Sequence, residues 1–181
     1  MREMTVPAVA GRGAQNAPYD LLVVGAGFAG VFAAIAARRA GLRVAGVEAA
    51  AGFGGVWFWN RYPGARCDLE SLDYSYSFDD ALQQEWRWSE RYATQPEILA
   101  YVQHVAERFD LARLFAFGVR VESMTFDEDE AVWTVLADDG LVRVARHVVL
   151  ATGSLSIPLV PDLPGLGDFA GEQLHSAAYD G

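Results

Sequence analysis

The run YDLLVVGAGFAGVFAAIAARRAGLRVAGVE, Tyr19 to Glu48, admits few folds. Tyr19 to Val24 is a short apolar segment of strand length. GAGFAG follows at once, and then an alanine-rich stretch favours helix until Gly41 stops it. Leu42 to Glu48 reads as a second strand ending in an acid, so the unit is a βαβ crossover. In that context the glycines acquire separate jobs. Gly25 allows the tight turn out of the strand, Gly27 lets backbone approach a pyrophosphate, and Gly30 lets the helix lie close on the sheet. The free N–H groups at the helix start, with the positive end of the helix dipole, would bind the anion, and Gly25, Ala26, Gly27, Phe28, Ala29 and Gly30 are the candidate cofactor-binding residues of this turn. Glu48 is placed to accept from a ribose hydroxyl, which suits an unphosphorylated adenosine ribose such as that of FAD or NAD. A second match to the spacing, GLGDFA (Gly165 to Ala170), has Pro161 and Pro164 where a strand should be and Gly171 where a helix should run, so it reads as a loop.

The remaining pattern is that of one α/β domain. Thr94 to Glu97 (TQPE) reads as a capping box. Ile98, Val102, Val105 and Phe109 then recur at helical spacing up to about Asp110. Val119 to Phe126, Val132 to Leu136 and Leu141 to Ala145 alternate as strands, with Asp138 to Gly140 as a turn, which predicts a small β-meander. His147 to Gly153 (HVVLATG) reads as a further buried strand beside the first, its end facing the ligand crevice. The acidic run Asp127 to Glu130 reads as a solvated turn, and His104 as a surface or packing residue; no metal site is expected. Residues 1–18 are expected to be a flexible tail, 19–157 the dinucleotide-binding domain and 158–181 a linker.

Charge and cysteine usage narrow the function classes. A net charge of -10, with only 14 scattered Lys and Arg, argues against a nucleic-acid partner. Cys67 is the single cysteine, so a two-thiol redox pair or thiolate metal cluster cannot be assembled from these residues. The opening residues lack a signal-peptide core and no long apolar run suggests a membrane span, so a cytoplasmic protein is expected.

GGVWFWNRYPGARCD, Gly54 to Asp68, puts aromatics, arginines and an aspartate on a segment with no helix or strand period. Together with the glycine fingerprint, LESLDYSYSF, WSERYATQPEIL, the ATG turn and FAGEQLH, it resembles the amino-terminal, FAD-binding portion of a Baeyer–Villiger monooxygenase of the phenylacetone or cyclohexanone type. The resemblance runs from Tyr19 to the end of the chain. It implies a Rossmann-like FAD-binding domain, incomplete relative to the family, with FAD as bound cofactor, NADPH as co-substrate, and O₂ and a ketone as reactants. By the same resemblance Gly25, Gly27, Gly30 and Glu48 would hold the adenosine half of FAD, Val56, Trp57, Asp68, Tyr74 and Val121 would line the flavin, and Arg66, Cys67 and Asp68 would border the nicotinamide. Asp68 is the candidate catalytic residue, orienting an arginine that the family supplies from beyond Gly181. A carboxylate desolvated inside an aromatic loop points the same way. Trp59, Trp86 and Trp88 are expected to be packing residues.

The family fingerprint F-x-G-x-x-x-H-x-x-x-W, followed by Pro or Asp, is met by Phe169, Gly171, His175 and Asp180, with Tyr179 in place of the tryptophan. Because the chain ends at Gly181, it is expected to be inactive alone and to need further chain or a partner. The other readings are a non-catalytic flavin-binding module and a different flavin monooxygenase such as an N-hydroxylase, which the aromatic loop disfavours. The lone cysteine excludes disulfide reductase chemistry.

Overall fold

A computed structural model describes residues 17–179. The tail expectation, residues 1–18, therefore lies almost wholly outside the described residues, as does Asp180. Six strands, β1 (Tyr19–Val24), β2 (Val44–Glu48), β3 (Phe115–Phe117), β4 (Val121–Asp127), β5 (Val132–Ala137) and β6 (Val142–Leu150), form one sheet in the order β3-β2-β1-β6-β5-β4. β3, β2, β1 and β6 are parallel, and β5 and β4 are antiparallel additions. Four α-helices, α1 (Phe28–Arg39), α2 (Val56–Trp59), α3 (Asp80–Glu85) and α4 (Gln95–Arg108), complete the mixed α/β, Rossmann-like fold.

Two expected strands prove to be one. Leu141 to Ala145 and His147 to Gly153 fuse into β6, whose first half pairs antiparallel with β5 (Leu136 opposite Val142) and whose second half pairs parallel with β1 (Val24 opposite Leu150). Ala145 belongs to both ladders, facing Trp133 on one side and Tyr19 on the other. β3 is a strand the sequence reading lacks; three residues, FAF, carry too little period to register, yet they extend the parallel sheet beside β2.

The main core lies on one face of the sheet. Val31, Ala34 and Ile35 of α1 and Tyr101, Val102 and Val105 of α4 pack there with Val23, Leu82, Leu111 and Phe115. On the other face Leu22, Ala45, Val135 and Ala145 form one buried cluster, and Val47, Val119 and Ala137 another. Beyond Gly153 the chain leaves the sheet as exposed coil, with short 3₁₀ turns at Leu166–Asp168 and Ser176–Ala178; GLGDFA is indeed neither strand nor α-helix. Leu155, Ile157, Leu159 and Val160 are all exposed, Ile157 at 87%.

The expected capping box at Thr94 does not form. The Thr94 side chain makes no cap hydrogen bond, and the Glu97 carboxylate turns away to accept from the Ser89 N–H (2.7 Å) and Ser89 Oγ (2.9 Å). A tertiary pair of hydrogen bonds has outcompeted the local one, and Glu97 fastens the 86–92 segment to α4 instead.

The helix-to-sheet approach depends on Gly30, where an added Cβ would collide with the Gly25 carbonyl, a backbone group that cannot swing aside. Gly30→Ala should destabilise the chain by about 1–3 kcal/mol in urea titration, whereas Gly167→Ala, with nothing within 4 Å, should stay within about 0.5 kcal/mol of wild type.

Candidate functional site

β1 ends in the middle of the parallel strands, with β2 on one side and β6 on the other, so the crevice beyond its carboxyl end is where such sheets bind ligands. Gly25 makes the turn there with φ +104, and a Cβ would strike the Ala151 carbonyl of the neighbouring ATG turn. Gly27 is the N-cap of α1. No side chain caps this helix and no acid stands in its first turn, so among the described residues the N–H groups of Phe28, Ala29 and Gly30 have no partner. Twelve residues of helix dipole then end on free donors, a ready anion site.

Glu48 closes the other side. Its carboxylate is buried (6% exposed) and accepts from the N–H of Ala26 and the N–H of Ala50, both at 2.6 Å. Each oxygen carries a further lone pair available to a hydroxyl. The acid expected to grip a ribose therefore also builds the glycine turn itself.

The aromatic loop docks on that turn through glycine. Gly54 N–H donates to the Ala26 carbonyl at 3.0 Å, and a Cβ on Gly55 (φ +58) would lie 2.8 Å from Gly27 Cα. The missing Cβ of Gly27 thus serves the approach of the loop as well as any ligand. From this junction α2 carries Val56 and Trp57 inward. Trp57 meets Tyr74 edge to face at 5.7 Å, and the two pack with Phe28 around Cys67 and Ile98. Burial pushes the Tyr74 hydroxyl above its ordinary pKa, with Cys67 and Asp68 adding to the rise. The nearby Trp57 indole works against that rise, although Trp57 Nε1 makes no hydrogen bond and is a buried donor without an acceptor.

The other expected site residues differ in their settings. Asp68 is exposed, so the argument from its desolvation cost does not hold. The Arg66 guanidinium is turned onto Glu90 (2.8 Å) and the Tyr92 carbonyl (2.9 Å). Cys67 is a core residue, 4% exposed, its thiol donating to the Leu69 carbonyl. Val121 packs with Val24, Val47, Val119 and Ala137, on the Glu48 side and away from the Trp57 cluster. Trp59 was expected to pack and is instead 46% exposed, whereas Trp86 and Trp88 pack on Tyr101. His104 lies against the Trp86 ring at 5.4 Å. Among the described residues no cluster of His, Cys, Asp or Glu could hold a metal, and no helix is long and apolar enough to cross a membrane.

Two residues central to the site escaped the sequence reading. Tyr76, its hydroxyl pKa raised by burial, donates to the Phe28 carbonyl at 2.7 Å and so steadies the first turn of α1. Gln95, buried at the start of α4, donates from Nε2 to the Trp57 carbonyl at 2.5 Å. Both lie within stretches that the sequence singles out, LESLDYSYSF and WSERYATQPEIL, but only the meeting of distant segments shows what they do.

The sequence of residues 19–179 matches the family described as pyridine nucleotide-disulphide oxidoreductase. A Baeyer-Villiger monooxygenase of Pseudooceanicola batsensis is 43% identical over 165 residues, covering 91% of this chain and 30% of its own length. Phenazine N-monooxygenase PhzNO1 of Lysobacter antibioticus is 41% identical, covering 89% and 30%. Among solved structures, an oxidized steroid monooxygenase bound to NADP superposes with a TM-score of 0.82 at 56% identity, covering 89% of this chain and 31% of that one. The chain thus spans about 30% of the length of the curated relatives it matches.

Glu48→Gln would turn an amide N–H₂ against one of the two backbone donors. The ligand-free variant should lose about 1–3 kcal/mol of stability in chemical denaturation, while Asp68→Asn, at an exposed site, should change it by less than about 0.5 kcal/mol.

Proposed function

The chain belongs to the pyridine nucleotide-disulphide oxidoreductase family, and from that premise we propose that it is the FAD-binding portion of an NADPH- and O₂-dependent Baeyer–Villiger monooxygenase. The observation that carries the reading is the convergence, at the carboxyl end of β1, of an uncapped helix N-terminus, a buried acid and a glycine-docked aromatic loop. Its relatives are flavin-dependent monooxygenases, and with one cysteine the two-thiol chemistry in the family's name has no second partner among these residues.

FAD fits the residues present. The free N–H groups of α1 would take its pyrophosphate and Glu48 its adenosine ribose, while the Trp57 indole N–H, beside the Tyr74 hydroxyl and without an acceptor in hydrogen-bond geometry, is a donor that a ligand would satisfy. When bound and reduced, the flavin supplies the activation of O₂ that lets one oxygen atom be inserted beside a ketone carbonyl. Trp57, Tyr74 and Phe28 exclude water from their side of the crevice. Asp68, exposed and next to the buried Cys67, would orient a cationic side chain contributed from outside these residues, and NADPH would lie beside Arg66. The family's activity thus requires further length of chain or a partner chain. N-oxygenation of a heteroaromatic is the second reading, favoured by the similarity to the phenazine enzyme.

Because the grip is on the adenosine half, FAD should bind the chain at least about tenfold more tightly than FMN in calorimetric titration, a difference of about 1.4 kcal/mol; equal affinities, or no binding of either, would reject the proposal. When the chain is joined to the remaining length its relatives carry, ester formed from phenylacetone with matching NADPH use would favour the ketone reading, and N-oxide formed from phenazine the second. In that longer protein Asp68→Ala should keep its flavin and melting temperature yet lose at least about tenfold in oxygenation rate; loss of flavin with normal turnover in what remains would make Asp68 structural.

A further inference from the structure

Helix α2 is a single turn, Val56–Trp59, and a turn of that length cannot hold itself. It has too few residues to satisfy its own carbonyls, so each must find a partner outside. The Val56 carbonyl takes the backbone and side-chain N–H groups of Asn60. The Trp57 carbonyl takes the side-chain amide of Gln95, 38 residues on, at 2.5 Å. The amide nitrogen must be the group facing it, since the alternative would set two oxygens against each other.

Gln95 is suited to fixing a position. It is 6% exposed, so its rotamer is set by packing. Its backbone N–H, which a helix start leaves free, donates to the Ala65 carbonyl at 2.8 Å. Next to it Thr94 bridges Arg66, and the Cys67 N–H donates to the Ala93 carbonyl at 3.1 Å. One residue therefore grips both arms of the aromatic loop, Trp57 by its side chain and Ala65 by its backbone. The Trp57 ring meanwhile is oriented by its edge contact with Tyr74, its Nε1 beside the Tyr74 hydroxyl but without an acceptor in hydrogen-bond geometry.

From this geometry we infer that Gln95 is a positioning residue for Trp57: its side-chain amide sets the attitude of α2, and through it the angle at which the indole stands against Tyr74. The inference rests on the flavin reading for its consequence, because the ring so placed is the wall of the proposed isoalloxazine site. Gln95 does not itself touch the crevice residues that would grip the adenosine half.

The test separates the two. In ¹H–¹⁵N spectra of the 181-residue chain, the Trp57 indole signal is identified by its loss in Trp57→Phe. Gln95→Glu keeps the shape but replaces the donor with an acceptor, and the Trp57 signal should move while that of Trp133, in β5, stays. Lowering the pH until the introduced carboxyl protonates restores a donor and should return the signal towards its original place. Ser71→Ala serves as the comparison, since it removes buried hydrogen bonds to the Glu90 and Arg91 carbonyls without touching α2. FAD affinity in Gln95→Glu should stay within about threefold of wild type, while the near-ultraviolet and visible circular dichroism of the bound flavin changes. A Trp57 signal unmoved in both Gln95→Glu and Gln95→Ala, or moved equally by Ser71→Ala, overturns the positioning role; so does a moved indole with unaltered flavin dichroism. If the wild-type chain binds no FAD, the flavin reading falls and the Trp57 signal alone decides the role of Gln95.

Discussion

The structure hangs on the carboxylate of Glu48. Its two hydrogen bonds hold the N–H of Ala26, in the glycine turn, and the N–H of Ala50, at the start of the loop leading away from β2. A buried carboxylate is costly unless its lone pairs are met, and here backbone donors meet them. Ala26 then passes the constraint on: held through its N–H, it offers its carbonyl to Gly54. An acid on β2 in this way sets the seat of an aromatic loop whose residues follow it in sequence but lie across the helix start in space.

Glycine makes that relay possible, and it does so at contacts between backbones. Gly30 admits the Gly25 carbonyl and Gly55 admits Gly27, so α1 is pressed against both the sheet and the loop with no side chain between. Phe169 and Gly171 show the same logic on a smaller scale, the phenyl ring lying where a Cβ at position 171 would be. The two-residue spacing of that pair in the sequence has a local steric reason, independent of what the segment later contacts.

The βαβ unit was legible because each level agreed: an apolar strand, glycines at the points where chain meets chain, an alanine-rich helix and a terminal acid. β6 was misread for the opposite reason. Its first half alternates, VRVAR, as suits an antiparallel strand with one wet face, and its second half, VVL, is the apolar run of a parallel one, so a single strand with two environments looked like two strands. The capping box was locally sound, and a distant serine took its glutamate. Asp68 was assigned a buried setting because its neighbours are aromatic, but neighbours in sequence do not say which way an irregular loop turns. Cys67 faces in and Asp68 faces out, one residue apart. The roles of Gln95 and Tyr76 could not be read from the stretches that hold them, since what distinguishes each is the backbone carbonyl that it happens to reach.

The double pairing of β6 reaches beyond architecture. A strand that completes the parallel sheet with one half and begins the hairpin with the other gives the two no boundary at which to part. The hairpin cannot part from the sheet without disturbing the strand that leads into the ATG turn beside Gly25. Opening of the hairpin and collapse of the ligand crevice are one cooperative event, so the slowest amide exchange in β5 and β1 belongs to a single unfolding unit. An occupant of the crevice, by mass action on the folded state, protects the far hairpin it never touches.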